Sequence, residues 1–484
     1  PFWEKPPLFF WMQAASMHLF GVGEYAARFP NAICGILTLV LLFRIGSRLY
    51  DTTFGLLWAG AYFGSLLPHL YFKSGIIDPW FNLFIFLGLY YFVRFYWKKE
   101  GYTGVMQHRS AYFYLVLGGL VTGLGILTKG PVAFLIILLC LFVYWLLQRF
   151  RLYVSVGQFL LFSIAASAVT LLWYGVETAV HGWWFVTEFT KYQYRLFSTA
   201  DAGHAGFAGY HVVVLLVGCF PASIFCIRGF FRFSQEYPAQ RDFQQWMIIL
   251  LGVVLVLFSV VQSKIVHYSS MAYFPLTFLA ALTLHQMIAR KVAFAPWMRW
   301  SLVALGGVFV LATLAALLLL GHSLSSHAGA VPGSLWAVLG DYVHLLAAAA
   351  WVGGLVMLAA PIVGRNIEIL APLLLKDPFA LANLEAQVSW TGWEIIAGLW
   401  MLAVLVLALR WFRQDRTARA ATVLFGGTAV FVFLSLIFFV GRIEHYSQGA
   451  AVRFFEELQG KDVYVVTDGY KSYAQLFYSR KPAP

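Results

Sequence analysis

Residues 112–147 read YFYLVLGGLVTGLGILTKGPVAFLIILLCLFVYWLL, and how they are read decides the fold. Two apolar runs, 112–128 and 131–148, are joined by little more than Thr128-Lys129-Gly130-Pro131. Apolar runs of about 17–25 residues are long enough to cross the hydrocarbon core as helices. In lipid a spanning segment must satisfy its own backbone, so a helix is expected on each side of the turn. Lys129 stands on that turn. A lysine there could merely snorkel to the interface. With only Gly and Pro beside it, its ammonium would instead be aimed at whatever occupies the mouth between the helices.

The whole chain has the same character. Of 484 residues, 61% are hydrophobic and 11% charged, against about 25% charged in soluble domains. The expected fold is mainly α, a polytopic transmembrane helical bundle. The formal charge of +12 does not point to nucleic acid, because the basic residues stand at the ends of apolar runs. Cys34, Cys140, Cys219 and Cys226 all lie inside apolar stretches and read as core residues, not as disulfides or a zinc site. No start methionine or signal peptide is visible, so a fragment cut at both ends is expected.

Further spanning runs are read near 29–49, 54–72, 80–97, 154–174, 208–231, 245–262, 269–289, 300–320, 336–360, 394–412 and 420–440. Residues 8–22 are too short and too punctuated to span, and read as a helix lying in the interface, within an outer segment 1–28. Arg44, Arg48, Arg94, Lys98, Lys99, Arg109, Arg149, Arg151, Arg228, Arg232, Arg241, Arg290, Lys291 and Arg299 mark alternate loops as cytoplasmic. Glu4, Lys5, Asp78, Lys129, the 175–207 loop and Lys264 then converge on the opposite face. Thirteen spans would put the basic loop Arg410–Arg419 outside, against the charge rule. Removing one span, expected within 321–361, repairs the count. The transmembrane domain is thus 1–441. Residues 442–484 read as the start of an extracytoplasmic α/β domain, with helical spacing at 447–460 and a strand at 462–469.

On the outer face, Trp3-Glu4-Lys5-Pro6-Pro7 puts a carboxylate and an ammonium on a stiff, non-helical shelf. Asp78 precedes Pro79 and could simply cap the 80–97 helix. Glu188, Lys191 and Arg195 recur at helical spacing among aromatic residues, as in an interfacial helix. Lys264, His267 and Tyr268 lie between two runs on the same side. Several cations so gathered suit a phosphate or pyrophosphate group. Glu4 and Asp78 could orient a polar acceptor or hold a divalent ion.

The motifs EKPPL (4–8), Asp78-Pro79, LTKGP (127–131), WY…F…R.F…GH.G (from Trp173) and SK..HY (263–268), in that order, resemble those of the bacterial branch of the dolichyl-phosphate-mannose–protein mannosyltransferase family. That family consists of membrane glycosyltransferases of the C type (GT-C), and the lipid A aminoarabinose transferases are close relatives. The resemblance covers roughly 1–290 and the outer tail. It implies an inverting transfer of sugar from a polyprenyl-phosphate donor to a lipid, protein or glycan acceptor. The site would face outward from the bacterial inner membrane. Lys5, Lys129, Arg195 and Lys264 match family cations that meet the lipid phosphate, with His267 and Tyr268 beside them. Glu4 and Asp78 match carboxylates at the acceptor or metal side. The family's general base is expected upstream of Pro1. No cofactor is required, and a divalent cation is optional.

The competing reading is a transporter or flippase for an anionic lipid or solute. Transporters place polar residues near the midplane and show repeated halves, whereas these charges gather at one surface and no repeat is visible. A third reading is a non-catalytic envelope assembly or sensor protein acting through its outer tail. One segment stands apart: His344–Leu355 faintly resembles a helix of copper-resistance membrane proteins, with His322 and His327 near by. Histidines on apolar helices more often have a packing explanation.

Overall fold

The computed structural model describes residues 5–103, 108–198, 207–231, 237–325, 393–441, 444, 449–465 and 474–481, with side chains of 196, 197, 314–325 and 450 left aside. The described residues are helical and divide into two bodies. The first holds residues 1–306 and 404–429. Its helices are α1 (Leu8–Phe20), α2 (Glu24–Leu49), α3 (Thr52–Phe63), α4 (Leu66–Tyr71), α5 (Asp78–Lys99), α6 (Ala111–Lys129), α7 (Val132–Leu147), α8 (Val156–His181) and α9 (Trp184–Ser198). They are followed by α10 (Tyr210–Gly218), α11 (Ala222–Gly229), α12 (Pro238–Val260), a 3₁₀ turn Val266–Ala272 and α13 (Tyr273–Ile288). The helices α14 (Pro296–Ser325), α15 (Ile395–Arg413) and α16 (Thr417–Ser435) come next, each partly in this body.

Eight described helices are long and apolar enough to cross a membrane, or nine if the bent pair α10–α11 counts as one span. That pair bends by 115°, where Pro221 offers no N–H to continue the helix. The run expected over 54–72 is likewise split, into α3 and α4, around Gly64 and Ser65. Residues 8–20 form the short non-spanning helix expected of them. The run at 336–360, like His327 and His344–Leu355, lies outside the described residues. All four cysteines are buried and free.

Close packing of α5, α6 and α8 follows from small residues. A Cβ on Gly119 would come within 2.5 Å of the Phe162 carbonyl oxygen, and one on Gly123 within 2.5 Å of that of Ala166. Glycine four residues apart thus lets α8 lie directly on α6, the small-xxx-small device of membrane helices. Across the other side of α6, a Cβ on Gly88 of α5 would stand 2.4 Å from Thr122 Oγ1. An aromatic core binds α3, α5, α12 and α13, with Trp58 5.1 Å from Phe278 and 5.9 Å from Phe86, ring centre to ring centre. At the far end of this core, buried Asp242 accepts from Trp97 Nε1 (2.6 Å), Tyr144 OH (2.7 Å) and Trp246 Nε1 (3.0 Å), tying α5, α7 and α12 together.

The second body holds residues 307–403 and 430–484. Its tail forms helices α17 (Gly449–Glu457) and α18 (Ala474–Ser479), linked by Gln459 Nε2 donating to the Tyr478 carbonyl at 2.7 Å. Helical spacing at 447–460 is met by α17. Of the strand expected at 462–469, residues 462–465 are irregular and Tyr464 is 89% exposed. No neighbouring strand among the described residues offers those backbone groups a ladder; residues 466–469 lie outside the described set.

Candidate active site

The site is built where α5 begins and α6 ends. Gly130 stops α6 with φ +106°, a conformation that favours glycine, and Pro131 starts the next helix. Lys129 is thereby the last residue of α6. Asp78 is the first residue of α5, and the helix cap falls on Ile77. The alternative that Asp78 caps its own helix is therefore not realised: the carboxylate turns to Lys129 instead. Nζ of Lys129 lies 2.6 Å from Asp78 Oδ1, with the two side chains 14% and 3% exposed. The ammonium also stands 5.3 Å from the ring centre of Tyr268 and 5.6 Å from that of Phe81.

This pair borders a cavity of about 360 Å³. Its polar lining is Lys5, Asp78, Asn82, Lys129, Thr190, Gln193, Tyr194 and Tyr268. Its apolar lining is Phe81, Val132, Leu135, Ile136, Leu257, Phe258, Val261 and Met271. Burial alone pushes the Asp78 carboxyl up, but the charges of Lys129, His267 and Lys5 outweigh it and hold it below the usual carboxylate range. The carboxylate is therefore ionised at neutral pH, and the cavity mouth keeps a surplus of positive charge.

The structure brings Lys5, Asp78, Lys129 and Tyr268 together around this cavity. Lys5 reaches the ring of Tyr192 at 4.7 Å, and Arg195 stands 5.3 Å from the same ring. Arg195 is exposed and absent from the cavity lining, so it neighbours the site across Tyr192. On the same helix Lys191 donates to Glu188 at 2.8 Å, as their spacing implies. His267 sets its ring beside Tyr268 and acts on Asp78 through charge. Glu4 lies outside the described residues, and with it the Glu4–Asp78 metal pair. Among the described residues no group of three or more His, Cys, Asp and Glu side chains could hold a metal ion.

Lys264 departs from expectation. It is buried, and its ammonium donates to the carbonyls of Phe258 (3.0 Å), Ser259 (2.7 Å) and Val261 (2.5 Å). An ammonium has three hydrogens, and three carbonyls at the end of α12 claim them. Its place is that of a C-terminal helix cap. It shapes the cavity wall through Phe258 and Val261 and does not face the cavity itself.

Asn82, Thr190, Gln193 and Tyr194 were not foreseen. Asn82 follows Asp78 by one helical turn, and that spacing is a signal that could have found it. Its Nδ2 donates to Ser270 Oγ at 2.8 Å, and Ser270 Oγ donates to the His267 carbonyl at 2.6 Å. The other three come from α9, whose sequence shows amphipathicity but not what its polar side meets.

Residues 4–173 match the family described as dolichyl-phosphate-mannose-protein mannosyltransferase. The fold resembles the crystal structure of ArnT from Cupriavidus metallidurans bound to undecaprenyl phosphate, with a TM-score of 0.68 at 17% identity over 99% of this chain and 75% of that one. The apo form of that protein matches with a TM-score of 0.63, also at 17% identity and over the same shares of the two chains. The helical architecture shared with that structure is the GT-C fold. Among curated proteins, an undecaprenyl phosphate-alpha-4-amino-4-deoxy-L-arabinose arabinosyl transferase of Enterobacter sp. (strain 638) is 25% identical over 325 residues, covering 65% of this chain and 56% of the relative. One from Pseudomonas aeruginosa (strain UCBPP-PA14) is 27% identical over 301 residues, 60% of this chain and 50% of the relative. An uncharacterized protein of Aquifex aeolicus (strain VF5) is 24% identical over 326 residues, 64% of this chain and 58% of the relative. Over these shared lengths the chain is similar to the mannosyltransferase family and to the aminoarabinose transferases. It spans little more than half the length of the curated relatives it matches.

Proposed function

We propose that this chain transfers a sugar from a polyprenyl-phosphate carrier to a lipid, protein or glycan acceptor at the extracytoplasmic face of the bacterial inner membrane. The observation that carries the reading is the buried Lys129–Asp78 pair at the mouth of a largely apolar cavity. A polyprenyl tail needs an apolar path, and its phosphate needs cations where that path ends.

In the reaction the bond between the anomeric carbon and the phosphate oxygen breaks as the acceptor heteroatom bonds to that carbon from the opposite side. The acceptor's proton leaves to a base. Negative charge accumulates on the departing phosphate, and Lys129 and Lys5 are placed to meet it in a site poor in water. A carboxylate held below its usual pKa is a weak proton acceptor. Asp78 is therefore read as fixing the Lys129 ammonium and orienting the acceptor, while the proton goes to another carboxylate.

The test uses the full protein in proteoliposomes with a panel of undecaprenyl-phosphate sugars, and product is followed by mass spectrometry. Transfer by wild type, abolished in Lys129→Ala, is the expected result. Lipid or solute translocation with no glycosylated product from any donor would favour the transporter and overturn the reading.

A further inference from the structure

The short loop Ser74-Gly75-Ile76-Ile77 delivers Asp78 to the site, and every backbone carbonyl in it is tied down. Asn31 of α2 donates through Nδ2 to the carbonyls of Ser74 (2.8 Å) and Ile76 (2.6 Å). Gln13 of α1 donates to the Gly75 carbonyl (3.4 Å) and to that of Ala27 (2.9 Å). The Ile77 carbonyl accepts from the Phe81 N–H (3.4 Å). One residue before Asn31 in α2, the Pro30 carbonyl accepts from Trp80 Nε1 at 3.1 Å, fixing the first turn of α5 as well.

Asn31 is fully buried, at 0% exposure. Its Oδ1 has no hydrogen-bond partner among the described residues. A buried amide oxygen left unpaired is costly, so what the position uses is the NH₂ group. Turning the amide over would set its oxygen against two carbonyl oxygens, and the geometry excludes that. Aspartate or leucine at this position has no hydrogen to offer, and serine has one. Asparagine supplies two donors from one nitrogen, which is what two carbonyls two residues apart require.

We propose that Asn31 is a positioning residue for sugar transfer: by gripping the carbonyls on either side of Gly75 it sets the height at which Asp78 meets Lys129. Asn31 touches neither the cavity nor Lys129, and it acts through the loop. The inference rests on the reading of Asp78 and Lys129 as parts of a transferase site.

The experiment is a double-mutant cycle on the full protein in proteoliposomes, under single turnover with radiolabelled undecaprenyl-phosphate sugars. Asn31→Leu is expected to lower the transfer rate about a hundredfold, as an ångström-scale misplacement does, with the KM for donor within about twofold of wild type. Asn31→Ser is expected to recover part of the loss. In an Asp78→Asn background, Asn31→Leu is expected to add almost nothing, because the group it positions is gone. A merely structural role would multiply the two losses, and that outcome would overturn the inference. So would full activity of Asn31→Leu alongside a crippled Asp78→Asn. Full activity of Asp78→Asn would instead bring down the underlying reading of the site. Should Asn31→Leu fail to fold, Asn31→Asp, which keeps the size of the side chain and removes both donors to the Ser74 and Ile76 carbonyls, replaces it in the same cycle with the same criteria.

Discussion

Nζ of Lys129 and Oδ1 of Asp78 lie 2.6 Å apart although 51 residues separate them in the chain. The contact joins the last residue of one helix to the first of another, and both side chains are largely withdrawn from water. A carboxylate and an ammonium in that setting depend on each other. Removing either leaves the other buried without its main counter-charge, which typically costs about 3–5 kcal/mol.

Lys129→Ala should therefore do two things at once. It should lower the unfolding midpoint of the detergent-solubilised protein by several degrees, and depress sugar transfer about a hundredfold or more. Lys129→Ala with Asp78→Asn should be more stable than Lys129→Ala alone, since the orphaned charge is gone. Thermal unfolding of the three variants checks the order. Arg195→Ala, outside the cavity lining, should cost less transfer than Lys129→Ala.

The pH dependence has a definite sign. Asp78 is held below its ordinary value of 3.8 in the folded protein. A depressed carboxyl contributes stability that is present above the unfolded pKa and lost as pH falls through the folded one. Between pH 7 and about 4, transfer and stability should show no limb that Asp78 controls. Below that, both should fall. Lys129→Met should move the acid limb upward, and a pH–rate profile reads the shift. An unmoved limb would mean that Lys129 does not set the charge state of Asp78.

Gly130→Ala tests the turn. Its Cβ would meet the Phe189 ring at 2.6 Å, on a backbone with φ +106°. Strain of this kind costs on the order of 1–3 kcal/mol, and the steric part pushes on α9. Gly130→Ala with Phe189→Leu should regain the steric part only. Comparison of the two unfolding curves separates strain from collision.

Asp242→Ala should destabilise without touching the site's charges. Two indoles and one phenol would lose their acceptor in a buried place, at about 1–3 kcal/mol for each group left unsatisfied. The unfolding midpoint should fall while the KM for donor stays near wild type. A large change in KM would show that this end of the bundle communicates with the cavity.

Much of this architecture is legible in sequence because lipid leaves few choices. A long apolar run becomes a helix, and Pro131 or Gly130 says where it stops. Lys129, Lys5 and Asp78 stood out because a charge beside Gly or Pro at a membrane face has little else to do. Lys264, between two apolar runs on the same face, looked equivalent and is not. Whether an ammonium faces a ligand or the carbonyls of its own helix end depends on a turn of a few residues, which no pattern of residue types reveals. Asn31 and Asn82 escaped for another reason: an amide inside an apolar helix carries no charge signal, and its worth lies in which backbone it meets. The break between α3 and α4 was missed because Gly64 and Ser65 are tolerated inside membrane helices as well as between them.

Beside Thr122, α5 and α6 also meet glycine to glycine, where a Cβ on Gly118 would stand 3.1 Å from the Gly88 carbonyl oxygen, and this contact has a consequence at the far end of both helices. Gly88 sits ten residues from Asp78 and Gly118 eleven residues from Lys129, so each arm is about 15–17 Å long at 1.5 Å per residue. The two helices act as a pair of rulers pinned at their crossing, and the ion pair reads off their relative slide. One residue of slip would carry Nζ about 1.5 Å along its axis, enough to break a 2.6 Å contact. A bulky side chain at Gly88 or Gly118, deep among apolar residues and far from the ion pair, should then behave as an active-site mutation.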